Sequence, residues 1–436
     1  MRLLSEKYKT EERLVVPTTC PKDKTVFIVY DKECVRDKHQ TDFGQEVLFR
    51  NPKTVNTEAM QVKNFCQENG NYITKEERRM LKKCITENCD TLLENHRNIN
   101  VISMSPVKSK ENGKHIRPCL CVVIYCSSKG FIPFGEKIFP KTLKSGLTCF
   151  DTDIREGFFE FGPGTYSTSK SSNYHQQLRM GCQYAVEGKP MCATIGPFVK
   201  LNGHMAFLTC AHAIYGIDSN GYNIVSSSTF VEQPPSTTFA FPSGNQFNFR
   251  CGEVKKAVFA PHAQPSVDAA VVLISEPTRL PHRGEFAMDN EIRLNYAGFD
   301  DLPYFNSGNI HLDPSTIDGD KRIVKFGAET HVTKGNLKSV GTVISAVSAD
   351  MGVFGQPGAS VTMRNQMEIS GVAGYGTYFQ PGDSGAGVFY VDKTPAGQEL
   401  TCIGIAIGTT SYGNAIVTPI KAVLDALQLP SLCQFP

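Results

Sequence analysis

The stretch Pro381-Gly382-Asp383-Ser384-Gly385-Ala386-Gly387 constrains this chain more than any other. Gly382 and Gly385 permit a tight backbone path that a Cβ would obstruct. Such a path lifts the Ser384 hydroxyl toward a cleft. It also aims the backbone N–H groups of Gly382 and Ser384 at one point, the arrangement of an oxyanion hole. A serine hydroxyl alone is a weak nucleophile, so the stretch calls for a base and a carboxylate elsewhere. Both types stand upstream at expected strand ends. His212 follows the apolar run Ala206-Phe-Leu-Thr-Cys-Ala, and Asp268 precedes the β-branched run Ala269-Ala-Val-Val-Leu-Ile274. Each has a plainer reading: a turn, a hydrogen-bonded core histidine, a carboxylate capping a turn.

The order His, Asp, Ser, in the contexts TCAH, VDAAVVLI and PGDSGAGVF, resembles the chymotrypsin/trypsin-like serine peptidases over about residues 192 to 430. The resemblance implies a mainly β fold of two six-stranded antiparallel barrels with a C-terminal helix. It implies a catalytic triad of His212, Asp268 and Ser384, an oxyanion hole from Gly382 and Ser384, and peptide-bond hydrolysis through an acyl-enzyme. No metal and no cofactor is required, and the partner is a protein or peptide substrate. By family position the side-chain pocket is formed by Tyr378, Phe379, Ile405, Ala406, Ile407 and Gly408. Tyr378 replaces the acidic residue that favours arginine or lysine, so an uncharged side chain is expected at the cleavage site. The alternative is a non-catalytic protein-binding scaffold on a peptidase fold. One departure favours that alternative: no Ile-Val-Gly-Gly-like sequence occurs near 185–200. Asp383, which such a freed amine pairs with in secreted relatives, therefore needs another partner or is exposed.

The rest of the chain fits this frame. Its 436 residues exceed what one core usually spans. A formal net charge of +2 without a basic tract gives no reason to propose nucleic acid or an anionic membrane as partner. The N-terminal MRLLSEKYKTEERL lacks the apolar core of a secretory signal, and no apolar run is long enough to span a membrane. Fifteen cysteines, scattered and odd in number, read as free thiols in a reducing compartment, and a cytoplasmic location is expected. Cys119, Cys121 and Cys126 alternate along an apolar strand and lack the paired spacing of a zinc knuckle.

Residues 20–160 are expected to form an accessory α/β or α+β unit, which resembles the unit preceding some non-secreted trypsin-like peptidase domains. Intramolecular regulation by this unit is one expected role. TVFIVY at Thr25–Tyr30 and PCLCVVIYC at Pro118–Cys126 read as strands. A helix begins near Thr74, where Thr74 and Glu77 have capping-box spacing. Residues 161–190, which contain GPGTYSTSKSSNYHQQ, read as a linker. The peptidase domain is expected over 191–430. Residues 232–249 read as a surface insertion. Pro419 to Leu427 reads as a terminal helix with Ile420, Val423, Leu424 and Leu427 on one side.

Overall fold

The computed structural model describes residues 2–8, 13–20, 24–164, 170–225, 228–236, 249–287, 291–347, 360–372, 376–394 and 397–436. The chain divides into two compact units, Met1–Glu160 with Gly341–Thr362, and Phe161–Val340 with Met363–Pro436. The fold is mainly β, with two curled sheets and an additional N-terminal sheet.

The first unit is the α/β part. Strand Thr25–Asp31 pairs antiparallel with Arg13–Thr19 and parallel with Gln45–Arg50, as its unbroken apolar content predicts for a central strand. Helix Lys75–Asn95 starts at the expected capping box, where Thr74 accepts from the Glu77 N–H and the Glu77 carboxylate accepts from the Thr74 N–H. Its apolar face buries Leu81, Cys84, Ile85, Cys89 and Leu92. Residues 2–8 and 13–17, whose charge alone suggests a flexible segment, are ordered into regular elements. They hold helix Arg2–Tyr8, with Leu4 buried against Phe27, Val29 and Val47, and most of the strand Arg13–Thr19.

The second unit carries the strands that matter for the site, except for Gly341–Val347 and Ser360–Thr362, the ends of two strands that belong to the first unit. In one sheet, strands Gln183–Val186, Phe198–Leu201, His204–Thr209, Arg250–Ala260 and Val267–Ile274 are the principal members. In the other, Ile323–Gly327, Gly387–Thr394, Gly397–Thr410, Asn414–Pro419, Ser360–Gly371 and His331–Val347 follow in spatial order. Pairing of the first with the last closes the ring. Closure removes the exposed edges that an open sheet would present. Helix Ile420–Leu427 starts after Pro419 and buries the four predicted side chains, Ile420, Val423, Leu424 and Leu427.

Two stretches differ from their sequence reading. The second half of 161–190 is not a polar linker: it contains strand Gln183–Val186 and fully buried Leu178, Met180 and Cys182. Spaced apolar residues outweigh the serine-rich composition of the first half. Gly341–Val347, expected to serve the peptidase region, pairs with Ile99–Lys110 and belongs to the first unit. Most of the insertion expected at 232–249 lies outside the described residues. Among the described residues no helix is long and apolar enough to cross a membrane.

Candidate active site

Strand register brings the base and the carboxylate together. Thr209 pairs with Ala270 in antiparallel strands, so continuing forward from Thr209 and backward from Ala270 leads to the same place. His212 opens a short helical turn, and its backbone N–H donates to Asp268 Oδ1 at 3.0 Å. Its Nδ1 bonds the other carboxylate oxygen, Oδ2. A carboxylate only accepts, so the proton sits on Nδ1 and leaves Nε2 free to accept. Nε2 lies 3.0 Å from Ser384 Oγ. All three side chains are buried, with Ser384 at 0% exposure.

The serine loop is held at several points. Gly382 and Gly385 have φ of +105° and +95°, the region that glycine tolerates and a side chain does not. The Thr194 N–H donates to the Ser384 carbonyl at 2.8 Å, and the Thr194 hydroxyl donates to the Gly382 carbonyl at 2.8 Å. The Gly385 N–H donates to the Ala406 carbonyl at 2.9 Å.

Asp383 anchors the loop from inside. It is fully buried, and its Oδ2 receives the Lys325 ammonium at 2.9 Å and the Thr330 hydroxyl at 2.6 Å. Backbone N–H groups of Glu329, Thr330 and Gln380 complete the shell at 3.0, 3.1 and 3.0 Å. Lys325 is therefore the buried cation that pairs with Asp383, the partner that the sequence left open. Burial pushes its ammonium pKa down, and the Asp383 charge opposes that shift. Sequence reasoning passed over Lys325. The available signal was one lysine inside the otherwise apolar strand Ile323–Gly327.

The expected pocket residues line up on two segments. Tyr378 and Phe379 are buried, as are Ile405, Ala406, Ile407 and Gly408. Burial raises the Tyr378 hydroxyl pKa well above its ordinary value. Ile405 and Ala406 pair with Thr418 and Val417, and the register shifts between Ala406 and Gly408. That bulge releases the Ile407 carbonyl from the ladder.

Cys210 joins His212 and Asp268 in a buried group whose donor atoms lie within 4.8 Å of one another. The donor chemistry does not suit a metal. The Cys210 thiol donates to the Ala406 carbonyl at 3.3 Å, and burial raises its pKa well above the ordinary value, whereas a metal requires the thiolate.

A feature absent from the sequence reading lies across Ser384. The Gly382 N–H, expected to form part of an oxyanion hole, donates to the carbonyl of Gly162 at 2.7 Å. The Gly162 N–H donates to the freed Ile407 carbonyl at 3.2 Å. Gly164 exchanges two hydrogen bonds with Cys192, at 3.0 and 2.9 Å. The Phe161 ring packs against His212 with centroids 5.0 Å apart.

No protein-family model and no curated protein matches the chain. Among solved structures it is similar to a glutamic acid specific serine protease, at 17% identity over 58% of this chain and 100% of that one, with a TM-score of 0.35. It is also similar to Thermobifida fusca protease A, at 16% identity over 59% and 99% of the two chains, with a TM-score of 0.34. A Cellulomonas bogoriensis chymotrypsin matches at 17% identity over 58% and 97%, with a TM-score of 0.31.

Proposed function

We propose that the chain is a serine endopeptidase. The observation that carries this reading is the His212 ring, hydrogen-bonded through one nitrogen to Asp268 and through the other to Ser384. In the proposed reaction, Ser384 Oγ attacks a peptide carbonyl while Nε2 takes its proton, and Asp268 stabilises the imidazolium. The N–H groups of Gly382 and Ser384 hold the developing oxyanion. The imidazolium then protonates the leaving amine, and water activated by the same ring releases the acyl group. In this reading His212 serves every proton-transfer step.

The scaffold reading has one specific observation in its favour: the chain's own residues fill the space above Ser384. A fluorophosphonate probe separates the two. Slow but stoichiometric labelling of Ser384 in the full chain, abolished by Ser384→Ala and reduced by orders of magnitude by His212→Ala, is the expected result. Folded protein that takes no label over days, even after its cleft is opened by substitution, sinks the peptidase reading.

A further inference from the structure

Resting on that reading, we infer that Phe161–Gly164 occupies the cleft as an internal substrate analogue, and that the cleft selects peptides with an aromatic residue followed by glycine, acylated at the glycine. Four contacts define the pose. The Gly162 carbonyl sits on the Gly382 N–H, where a scissile carbonyl must lie to have its oxyanion stabilised. Its N–H bonds Ile407, and Gly164, two residues on, forms an antiparallel bridge with Cys192. The backbone on both sides of the Gly162 carbonyl is thus gripped in extended form, the manner in which a cleft holds any peptide by strand addition. Phe161 lies over the His212 ring and 6.0 Å from the Phe259 ring.

The same pose sets selectivity. A Cβ added to Gly162 would overlap the Phe379 ring and lie 3.2 Å from Ser384 Oγ. Phe379 is 1% exposed and fills the place that a side chain at this position would enter. Glycine is therefore accepted and larger residues are rejected, Phe379 being the residue that decides. The aromatic face of His212 and Phe259 receives the residue before the glycine.

Pro163 is the residue that would keep the segment whole. Expelling the amine requires its nitrogen to pyramidalise and take a proton from His212. Proline carries a ring carbon on that nitrogen in place of hydrogen and fixes φ, which obstructs this step. With alanine at 163 that obstruction is gone. Ser384 Oγ bonds the Gly162 carbonyl carbon and passes its proton to His212 Nε2. The bond to the residue 163 nitrogen breaks and that nitrogen takes the proton. Water then yields the Gly162 carboxylate and restores Ser384.

Two full-length variants test this. Pro163→Ala is expected to split into fragments 1–162 and 163–436 on intact-mass analysis, and Pro163→Ala with Ser384→Ala is expected to stay intact. Gly162→Phe, which the Phe379 ring cannot admit, is expected to raise the fluorophosphonate labelling rate of Ser384 at least tenfold over the natural chain. It is also expected to cleave a Phe-Gly-Ala peptide after glycine and leave Phe-Leu-Ala uncut. Intact Pro163→Ala beside fast labelling of Gly162→Phe overturns the internal-substrate inference and leaves the peptidase reading standing. Equal labelling of Gly162→Phe and the natural chain overturns the occlusion. Absence of label in every variant overturns both readings.

Discussion

Asp268→Asn is expected to lower turnover by about four orders of magnitude while leaving the fold intact. The reason lies in the two contacts that the carboxylate makes. One oxygen accepts from the His212 backbone N–H and the other from ring Nδ1–H. An asparagine in the same pose keeps its oxygen on the backbone N–H and turns its NH2 toward Nδ1. Nδ1 must then be the acceptor, the proton moves to Nε2, and Nε2 can no longer take the Ser384 proton. Volume and hydrogen-bond count barely change, so circular dichroism and thermal midpoint are expected to stay near those of the natural chain. A peptide-ester assay that shows less than a tenfold loss would count against the tautomer argument.

Lys325→Met is expected to cost about 3–5 kcal/mol of stability, because it leaves a fully buried carboxylate without its cation. Asp383 would keep the Thr330 hydroxyl and three backbone N–H donors, which satisfy its lone pairs but not its charge. Asp383 stands between Gly382 and Ser384, so a shifted carboxylate also moves the N–H groups that would meet the oxyanion. Stability and turnover are expected to fall together. Adding Asp383→Asn removes the stranded charge and retains one acceptor oxygen, which the Glu329 and Thr330 N–H groups share. Urea denaturation should then show much of the loss restored, because deleting both members of a buried pair costs less than deleting one. A single Lys325→Met variant as stable as the natural chain would show that the pair does not hold the loop.

The three catalytic candidates were legible because each is marked locally. A glycine-bracketed serine, a histidine ending an apolar run and an aspartate opening one need only strand register to meet, and the register is written in those runs. The terminal helix and the Thr74 capping box were readable for the same reason: a few adjacent side chains decide them. Lys325 was hidden because its meaning comes from Asp383, 58 positions away. Phe161–Gly164 was hidden more deeply. Glycine and proline mark it as a turn or linker, and its partners Gly382, Ile407 and Cys192 are set by the closed sheets rather than by any pattern in the segment. Phe379 fell among the expected pocket residues, but only the Gly162 backbone beside it reveals which side chains it excludes.

The most direct test of whether distant residues act as one chemical unit is a coupling measurement on the Ser384 fluorophosphonate labelling rate. Asp268→Ala alone is expected to slow labelling by orders of magnitude. Adding it to His212→Ala is expected to change the rate by less than about threefold, since the carboxylate acts only through the imidazole. Losses that multiply in the double variant would contradict the account, because they would mean that Asp268 and His212 influence the serine independently.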